Sequence, residues 1–197
     1  MSQGEKRSAI LEAAVKRFIH FGVGKTTMNE IADDLSLSKA SLYYYFPDKL
    51  SLYAAVLKMI IEADEANNET YFREKDSLSA IFLYLENRTR FIIKYYNILE
   101  YLRTLKKDVP KELETIFRSA RNRELTVILN ILEIGQRSYP GHIDNLKNIA
   151  ELFADCLEGL RYSIISSKSN FFPDKKQFQS LLKREKEFAS IFFKGLS

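Results

Sequence analysis

The chain has 197 residues, 46% hydrophobic and 28% charged, a balance that is typical of globular proteins and excludes a disordered one. Its net charge of +4 permits a polyanionic partner without requiring one. A single cysteine excludes an intramolecular disulfide framework, and no apolar run is long enough to suggest a membrane span. The polar N-terminal residues show no signal-peptide pattern, so we expect a cytoplasmic protein.

Local signals along the chain predict about nine helices, and no strand-type alternation stands out. Gly22 can end the first helix, and Thr27 with Glu30 can begin the second as a capping box. Ser38 and Asp48 can cap the third and fourth helices. The fold class is therefore predicted to be all-α. The expected ranges are about 5–21, 28–35, 39–45, 49–67, 77–95, 97–107, 111–137, 143–167 and 175–195.

The predicted helices are unevenly distributed, with four in about the first 60 residues and long amphipathic helices after them. This asymmetry suggests a compact N-terminal module followed by a helical bundle. Within the module, the Gly-Lys-Thr at residues 24–26 matches the end of a phosphate-binding P-loop. However, position 19 is Ile where that motif needs Gly, and a helix precedes it. A helix stop followed by a helix start explains the stretch better.

Two short helices between residues 27 and 46 form the strongest functional pattern. A helix-turn-helix needs two helices braced by apolar residues, so that the second can enter the major groove with its polar side outward. At 100° per residue, Leu42 and Phe46 share the inward side of the third helix, and Tyr45 lies at its border. The predicted DNA contacts are Ser38, Lys39, Ala40, Ser41, Tyr43, Tyr44 and Tyr45, with Thr26, Thr27 and Lys49 at the neighbouring helix starts.

These side chains suit two kinds of contact. Phenolic hydroxyls and helix-start amides can donate to phosphates, which fix the register but carry no sequence information. Substituting Tyr43 or Lys49 should therefore weaken binding to all DNA sequences alike, whereas substituting Lys39 or Tyr44 should alter sequence preference. The alternative is a helical hairpin whose tyrosines pack against the bundle.

A pattern of residues runs through the N-terminal part of the chain. It comprises Phe18, Gly22, Thr26, Thr27, Ile31 and Ala32, then the run from Ser38 to Phe46, and Lys49 and Leu52. On these positions, residues 7–60 resemble the N-terminal domain of the TetR family of bacterial transcriptional regulators. One position departs from the family pattern, because the turn has Ser36 where the family usually has Gly, and serine adopts a left-handed backbone less readily.

The resemblance implies a homodimeric repressor that binds a palindromic operator in double-stranded DNA and is released by a small-molecule effector. It implies a DNA-binding domain at 1–48, with the helix-turn-helix at about 27–46, and a ligand-binding and dimerisation domain at 49–197. In such proteins the middle helices enclose a pocket, although ordinary core packing competes as an explanation for each candidate here. The pocket candidates are Phe82, Phe91, Tyr95, Tyr96, Glu100, Tyr101, Arg103, Phe117 and Arg121.

The resemblance also implies that the last two helices pair with their copies in a second subunit. Packing within one chain is the competing explanation for each residue. The dimer candidates are Phe153, Leu157, Gly159, Leu160, Ile164, Leu181, Phe188 and Phe192.

No other chemistry is indicated by the sequence. His20 and His142 belong to no ligand-spaced cluster, so neither a metal site nor a cofactor is expected. Cys156 lies in an apolar helical stretch and is expected to be inert. A small-molecule-binding helical protein without DNA function is the alternative from another class. An enzyme with a site in the bundle core is a weaker one, since no nucleophile–base arrangement stands out.

Overall fold

The computed structural model describes residues 2–67, 69–105, 110–136, 145–166 and 175–196. All secondary structure in these ranges is helical, which confirms the predicted all-α fold. Two 3-10 helices follow the fourth and sixth α-helices, at Glu69–Arg73 and Tyr101–Thr104. The α-helices are α1 (Gln3–Phe21), α2 (Met28–Asp34), α3 (Lys39–Tyr45), α4 (Lys49–Asn67), α5 (Ser77–Lys94), α6 (Tyr96–Glu100), α7 (Lys111–Gln136), α8 (Leu146–Ser166) and α9 (Lys175–Gly195).

The helix starts and stops follow the local signals. Thr27 and Glu30 form a reciprocal capping box at α2, and the Ser38 side chain accepts from the backbone amide of Ser41 at 3.1 Å. Gly22 ends α1 at a φ of +80°, which glycine adopts without steric cost. The predicted helix over 97–107 differs, because α6 ends at Glu100 and the chain tightens into the 3-10 helix that follows.

The turn between α2 and α3 is closed by a Schellman motif. The amide of Leu37 donates to the carbonyl of Ala32 at 2.9 Å, and the amide of Ser36 donates to the carbonyl of Asp33 at 3.0 Å. Ser36 has a φ of +51°, in the left-handed region that favours glycine. Serine therefore keeps the turn closed, at the cost of backbone strain.

Replacing Ser36 by Gly should raise the free energy of unfolding by about 0.5–1 kcal/mol. Relief of the left-handed strain, worth about 1 kcal/mol or more, outweighs the extra entropy that glycine gives the unfolded chain. Urea denaturation measures the difference. Ser8→Gly, in the regular helix α1, is the matched control and should lower stability by about the same amount. A loss of stability in Ser36→Gly would contradict the strain argument.

The chain divides into two compact units. The first unit comprises Met1–Asp64 and Lys94–Phe117, and the second comprises Glu65–Ile93 and Arg118–Ser197. The predicted boundary at Asp48 falls inside the first unit, at the start of α4. In the described part of the chain, no helix is long and apolar enough to cross a membrane.

The core of the first unit is built on aromatic and aliphatic side chains that are buried completely. Phe18 of α1 packs edge-on against Tyr53 of α4, with ring centroids 6.5 Å apart. The hydroxyl of Tyr53 donates to the carbonyl of Ile98 in α6 at 2.9 Å, and burial raises the pKa of this phenol above its usual range. The side-chain amide of Asn97 donates to the carbonyl of Ile19 at 2.6 Å. Helix α6 is thus joined to α1 and α4.

The core of the second unit centres on Phe153 of α8. Its ring stacks on Phe188 and makes edge contact with Phe193, at centroid distances of 5.3 and 5.5 Å. Aliphatic residues of α5 and α7 complete the cluster, including Leu85 and Ile131, both fully buried. The second unit therefore has a hydrophobic core of its own, built mainly from α5, α7, α8 and α9.

Candidate nucleic-acid interface

Helix α3 has one buried side and one exposed side, as the helical spacing predicts. Leu42 is fully buried and Phe46 nearly so, and the guanidinium of Arg7 lies 5.1 Å from the Phe46 ring centroid. Tyr43 and Tyr44 are exposed, Tyr44 to 73%. Two large aromatic rings therefore face away from the core of the first unit.

The remaining residues of α3 lie where the spacing places them, except Ser41, which the spacing puts on the outward side. Tyr45 is half-buried, which is the border position expected of it, and its ring meets that of Tyr44 edge-on at 5.3 Å. Ser41 is half-buried, while its neighbours toward the helix start are exposed. The exposed residues at this start are Ser38, Lys39 and Ala40.

Gln3 lies beside this surface and was not predicted from the sequence. The side-chain amide of Gln3 donates to the hydroxyl of Tyr44 at 3.3 Å. Because a phenol that accepts one hydrogen bond still has its own proton to donate, Tyr44 keeps a donor for an outside acceptor. The contact joins residues 41 positions apart, and no local periodicity encodes it.

An ion-pair brace fixes α2 against α1. The guanidinium of Arg17 donates two parallel hydrogen bonds to the carboxylate of Asp34, at 2.6 and 2.7 Å. Glu30 lies 3.5 Å from the same guanidinium. The hydrogen bonds from Arg17 hold the pKa of Asp34 below its usual range. Bidentate geometry constrains orientation, so the brace sets the angle at which α2 leaves α1.

Two predicted contacts before α2 have partners within the chain. Thr26 is 1% exposed, and its hydroxyl donates to the carbonyl of Gly22 at 2.9 Å, so this side chain is buried rather than offered to a phosphate. The hydroxyl of Thr27 donates to the carboxylate of Glu30 at 2.8 Å, as part of the capping box. Backbone and side-chain hydrogen bonds from Thr27 lower the pKa of Glu30. Thr27 is exposed, so it remains a candidate contact.

Lys49, at the first position of α4, also differs from its predicted role. Its ammonium donates to the carbonyls of Val23 at 2.8 Å, Thr26 at 3.0 Å and Gly24 at 3.4 Å. These carbonyls belong to the segment that joins α1 to α2. The lysine side chain therefore turns toward the protein.

The predicted pocket residues are distributed over both units. Tyr101 packs edge-on against Tyr53 at 5.0 Å, and Arg121 hydrogen-bonds Asp155 across α7 and α8. Arg103 lies outside the described side chains. Assignment of this set to a pocket stays a prediction. Tyr95, Tyr96, Glu100, Tyr101 and Phe117 lie in the first unit, and Phe82, Phe91 and Arg121 lie in the second.

Ionisable side chains, of which Glu185 is buried and the others half-buried, join four helices of the second unit. Arg161 donates to Glu185 at 2.9 Å and to Glu124 at 3.0 Å. Arg88 lies at ion-pair distance from the same carboxylates, 3.7 Å from Glu124 and 3.8 Å from Glu185. The hydroxyl of Tyr84 donates to Glu124 at 3.3 Å. We call these five residues the buried charge network; they come from α5, α7, α8 and α9.

This network was not predicted from the sequence, although one signal of it is present there. Glu185 is 1% exposed and lies on the buried stripe of α9, between Leu181 and Ala189. A carboxylate on an apolar stripe indicates a buried partner. Burial alone would raise the pKa of Glu124, but Arg161 and then Arg88 outweigh this effect and lower that pKa below its usual range.

The predicted dimer residues divide into buried and accessible ones. Phe188 and Phe192 are half-buried against Phe153, the latter at 4.9 Å between ring centroids. Gly159 is exposed and Leu160 is half-buried, while Ile164 lies outside the described side chains. Three residues are buried within the subunit and so offer no side-chain surface to a partner: Phe153, Leu157 and Leu181.

The last two helices also expose large apolar side chains that were not predicted. Leu152 and Tyr162 of α8 and Ile191 of α9 are exposed, Tyr162 to 69% and Ile191 to 73%. Leu152, Gly159 and Tyr162 are spaced by seven and three residues, which places them on one side of α8. We call Leu152, Gly159, Tyr162 and Ile191 the exposed apolar set.

The N-terminal part of the chain is similar in sequence to known regulatory proteins. Residues 10–56 match the family model described as bacterial regulatory proteins, tetR family. The chain is 39% identical over 80 residues to the HTH-type transcriptional regulator RutR of Escherichia coli (strain K12). That match covers 41% of this chain and 38% of RutR, so the chain spans well under half of that relative.

Solved structures resemble nearly the whole chain. A transcriptional regulator from Cytophaga hutchinsonii ATCC 33406 is 32% identical, with a TM-score of 0.81 over 96% of this chain and 97% of that one. A TetR-family transcriptional regulator from Agrobacterium tumefaciens has a TM-score of 0.66 over 95% of this chain and 98% of that one. Its identity is 17%, so this second likeness shows the fold alone.

Proposed function

The chain belongs to the bacterial regulatory proteins of the tetR family, and we propose that it is a homodimeric, cytoplasmic transcriptional repressor. It binds a palindromic operator through α3 and is released from the operator by a small molecule. The observation that carries the proposal is a braced helix-turn-helix whose second helix buries Leu42 and exposes Tyr43, Tyr44 and Lys39. Aromatic and cationic side chains on a short exposed helix match the chemistry of a major groove and its phosphates.

Two contacts that hold α3 in place support a role for this helix in reading DNA bases, rather than incidental exposure of its side chains. The Schellman turn at Ser36 fixes α3 relative to α2, and the Arg17–Asp34 pair fixes α2 relative to α1. A recognition helix must be held in one orientation, because base contacts depend on hydrogen-bond geometry. Both elements restrict that orientation without using the exposed residues of α3.

The exposed apolar set supports dimerisation through α8 and α9. Exposed large apolar side chains mark interaction surfaces in folded proteins when they share a side of an element. Gly159 would allow a partner helix to approach closely between Leu152 and Tyr162. A two-fold dimer presents two copies of α3, and these would read the two halves of a palindrome.

The proposed regulation by a small molecule depends on the need for both α3 helices to bind their half-sites at once. Half-sites lie about 34 Å apart or at multiples of that spacing, so a ligand that changes the separation of the two α3 helices prevents simultaneous docking. By thermodynamic linkage, the operator must then lower the affinity for the ligand by the same factor. The effector is identified by screening metabolites for a rise in melting temperature and then testing that reciprocity.

Selection of DNA duplexes from a random-sequence library by the full chain tests the proposal. The selected sequences should share an inverted repeat, and the logarithm of the binding constant should fall linearly with the logarithm of the salt concentration. Fluorescence anisotropy with a selected duplex measures both. A selection that returns no shared sequence, or binding that ignores salt, would remove the basis for the proposed function.

Substitutions on α3 should separate base reading from phosphate contact. Lys39→Ala and Tyr44→Phe should change the preferred bases, since a good base contact gives about 1–3 kcal/mol of discrimination. Tyr43→Phe should weaken all duplexes alike. Competition binding among single-base variants of the selected duplex measures the preferences. Lys58→Ala, an exposed lysine of α4, is the control for loss of charge. If Lys39→Ala and Tyr44→Phe keep the wild-type preferences, the recognition face is assigned wrongly.

A further inference from the structure

Lys49 occupies an electrostatically poor position. It is the first residue of α4, and the N-terminal turn of a helix carries a partial positive charge that disfavours cations. Asp48 supplies the favourable acidic group there, with its carboxylate accepting from the amide of Ser51 at 2.7 Å. Some other interaction must therefore account for where the lysine ammonium lies.

The ammonium is surrounded by acceptors from the protein. A lysine ammonium has three N–H donors, and three carbonyl oxygens receive them: Val23 at 2.8 Å, Thr26 at 3.0 Å and Gly24 at 3.4 Å. The ring centroid of Tyr101 lies 5.9 Å from the same nitrogen. We call these three carbonyls the carbonyl cage. With its donors directed at these carbonyls, the ammonium turns toward the protein and away from a phosphate.

The carbonyl cage belongs to the segment that positions α2. Thr26 precedes Thr27, whose side chain caps α2, and the Thr26 hydroxyl is itself bonded back to Gly22. Lys49 therefore ties the start of α4 to the start of α2, across the two ends of the helix-turn-helix. Hydrogen bonds to a charged donor are about twice as strong as neutral ones, so the tie restrains this segment firmly.

We propose that Lys49 is a positioning residue, which holds the segment before α2 in place for DNA binding and makes no phosphate contact itself. The inference rests on the proposed function and differs from the sequence-based prediction, in which Lys49 binds a phosphate. The two roles are separable because each phosphate contact makes the slope of log binding constant against log salt more negative by about 0.9. A residue that acts through protein geometry leaves that slope unchanged.

The test compares Lys49→Met and Lys49→Arg with the wild-type chain on one selected duplex. Lys49→Met should lower the melting temperature by about 5 °C, because three carbonyls lose a charged donor. Its affinity should fall about tenfold or more, with the salt slope unchanged. Lys49→Arg keeps the charge, but its planar guanidinium does not match a three-carbonyl cage, so the melting temperature should fall here too.

Lys25→Met is the matched control, because Lys25 is an exposed lysine of the same segment. It removes the same charge and should leave the melting temperature unchanged. The proposal is overturned if Lys49→Met makes the slope about 1.8 less negative, which corresponds to one lost contact in each of two subunits, or if Lys49→Arg retains wild-type affinity and melting temperature. If the wild-type chain itself selects no DNA, the proposed function fails instead, and the two failures are thereby distinguished.

Discussion

Replacing Arg161 by Met should lower the free energy of unfolding by about 3–5 kcal/mol, the usual cost of removing one partner from a buried ion pair. Arg161 supplies the hydrogen bonds to both carboxylates of the buried charge network, at 2.9 and 3.0 Å. Glu185 is 1% exposed, so without Arg161 it would stay largely desolvated and only loosely paired with Arg88. Chemical denaturation followed by circular dichroism measures the loss.

Two further variants show whether the loss comes from an unpaired carboxylate. Arg118→Met removes an exposed arginine of α7 and should change stability by no more than about 0.5 kcal/mol. Glu185→Gln in the Arg161→Met background should restore part of the loss, because it removes the buried charge that lacks its partner. Glu185→Gln alone completes the double-mutant cycle, and strictly additive effects of the two substitutions would contradict this explanation.

The Arg161→Met variant should also change how the free energy of unfolding depends on pH. In the wild-type chain the pKa of Glu124 is lowered, since Arg161 and Arg88 outweigh the effect of burial. The ionised form therefore contributes stability above the unfolded-state pKa of a glutamate, and this contribution is lost as pH falls through the lower folded-state pKa. Arg161→Met raises the folded-state pKa, so acid unfolding should begin at a higher pH.

Sequence was sufficient for the helix-turn-helix because its signals are local. A threonine followed three residues later by a glutamate predicts a capping box, and Thr27 and Glu30 form one. The spacing of Leu42 and Phe46 predicts the buried side of α3, and both are buried. Each of these features depends on residues within one or two helical turns.

Features that depend on tertiary neighbours were not predicted. Lys49 resembles any exposed lysine next to a helix start, until the fold brings the carbonyl of Val23 to 2.8 Å. Glu185 lies in a run of charged residues that is typical of a solvated helix face. Its partner Arg161 is 24 positions away on another helix. Only the packing of helices determines such pairs.

The predicted dimer candidates illustrate a further limit of periodicity. Phe153 and Ile191 are both apolar positions on amphipathic helices, yet Phe153 is fully buried in the subunit and Ile191 is exposed. Helical spacing identifies an apolar side but does not state whether the same subunit or a second one covers it. To predict which residues face a partner, it is therefore necessary to know which apolar side chains are exposed on the monomer.

Replacing Ile191 by Glu should abolish the proposed dimer and lower affinity for the proposed full palindrome by about 10²–10⁴-fold. Two linked half-site contacts gain this factor from effective concentration, and a monomer loses it. An ionised carboxylate in an apolar interface is costly to desolvate, whereas in the free monomer the same side chain lies in water. Sedimentation equilibrium measures the association, and anisotropy with whole and half operators measures the binding.

The half operator separates this mechanism from damage to the recognition helix. Because α3 is unchanged, the Ile191→Glu variant should bind a single half-site with the affinity of a wild-type subunit. Its helical circular dichroism signal should also equal that of the wild-type chain. Phe21→Glu makes the equivalent change at an exposed apolar residue of α1 and should leave the association constant unchanged. A fully dimeric Ile191→Glu variant would show that α9 does not form the interface. A variant with weakened half-site binding would show that the substitution acts on the fold.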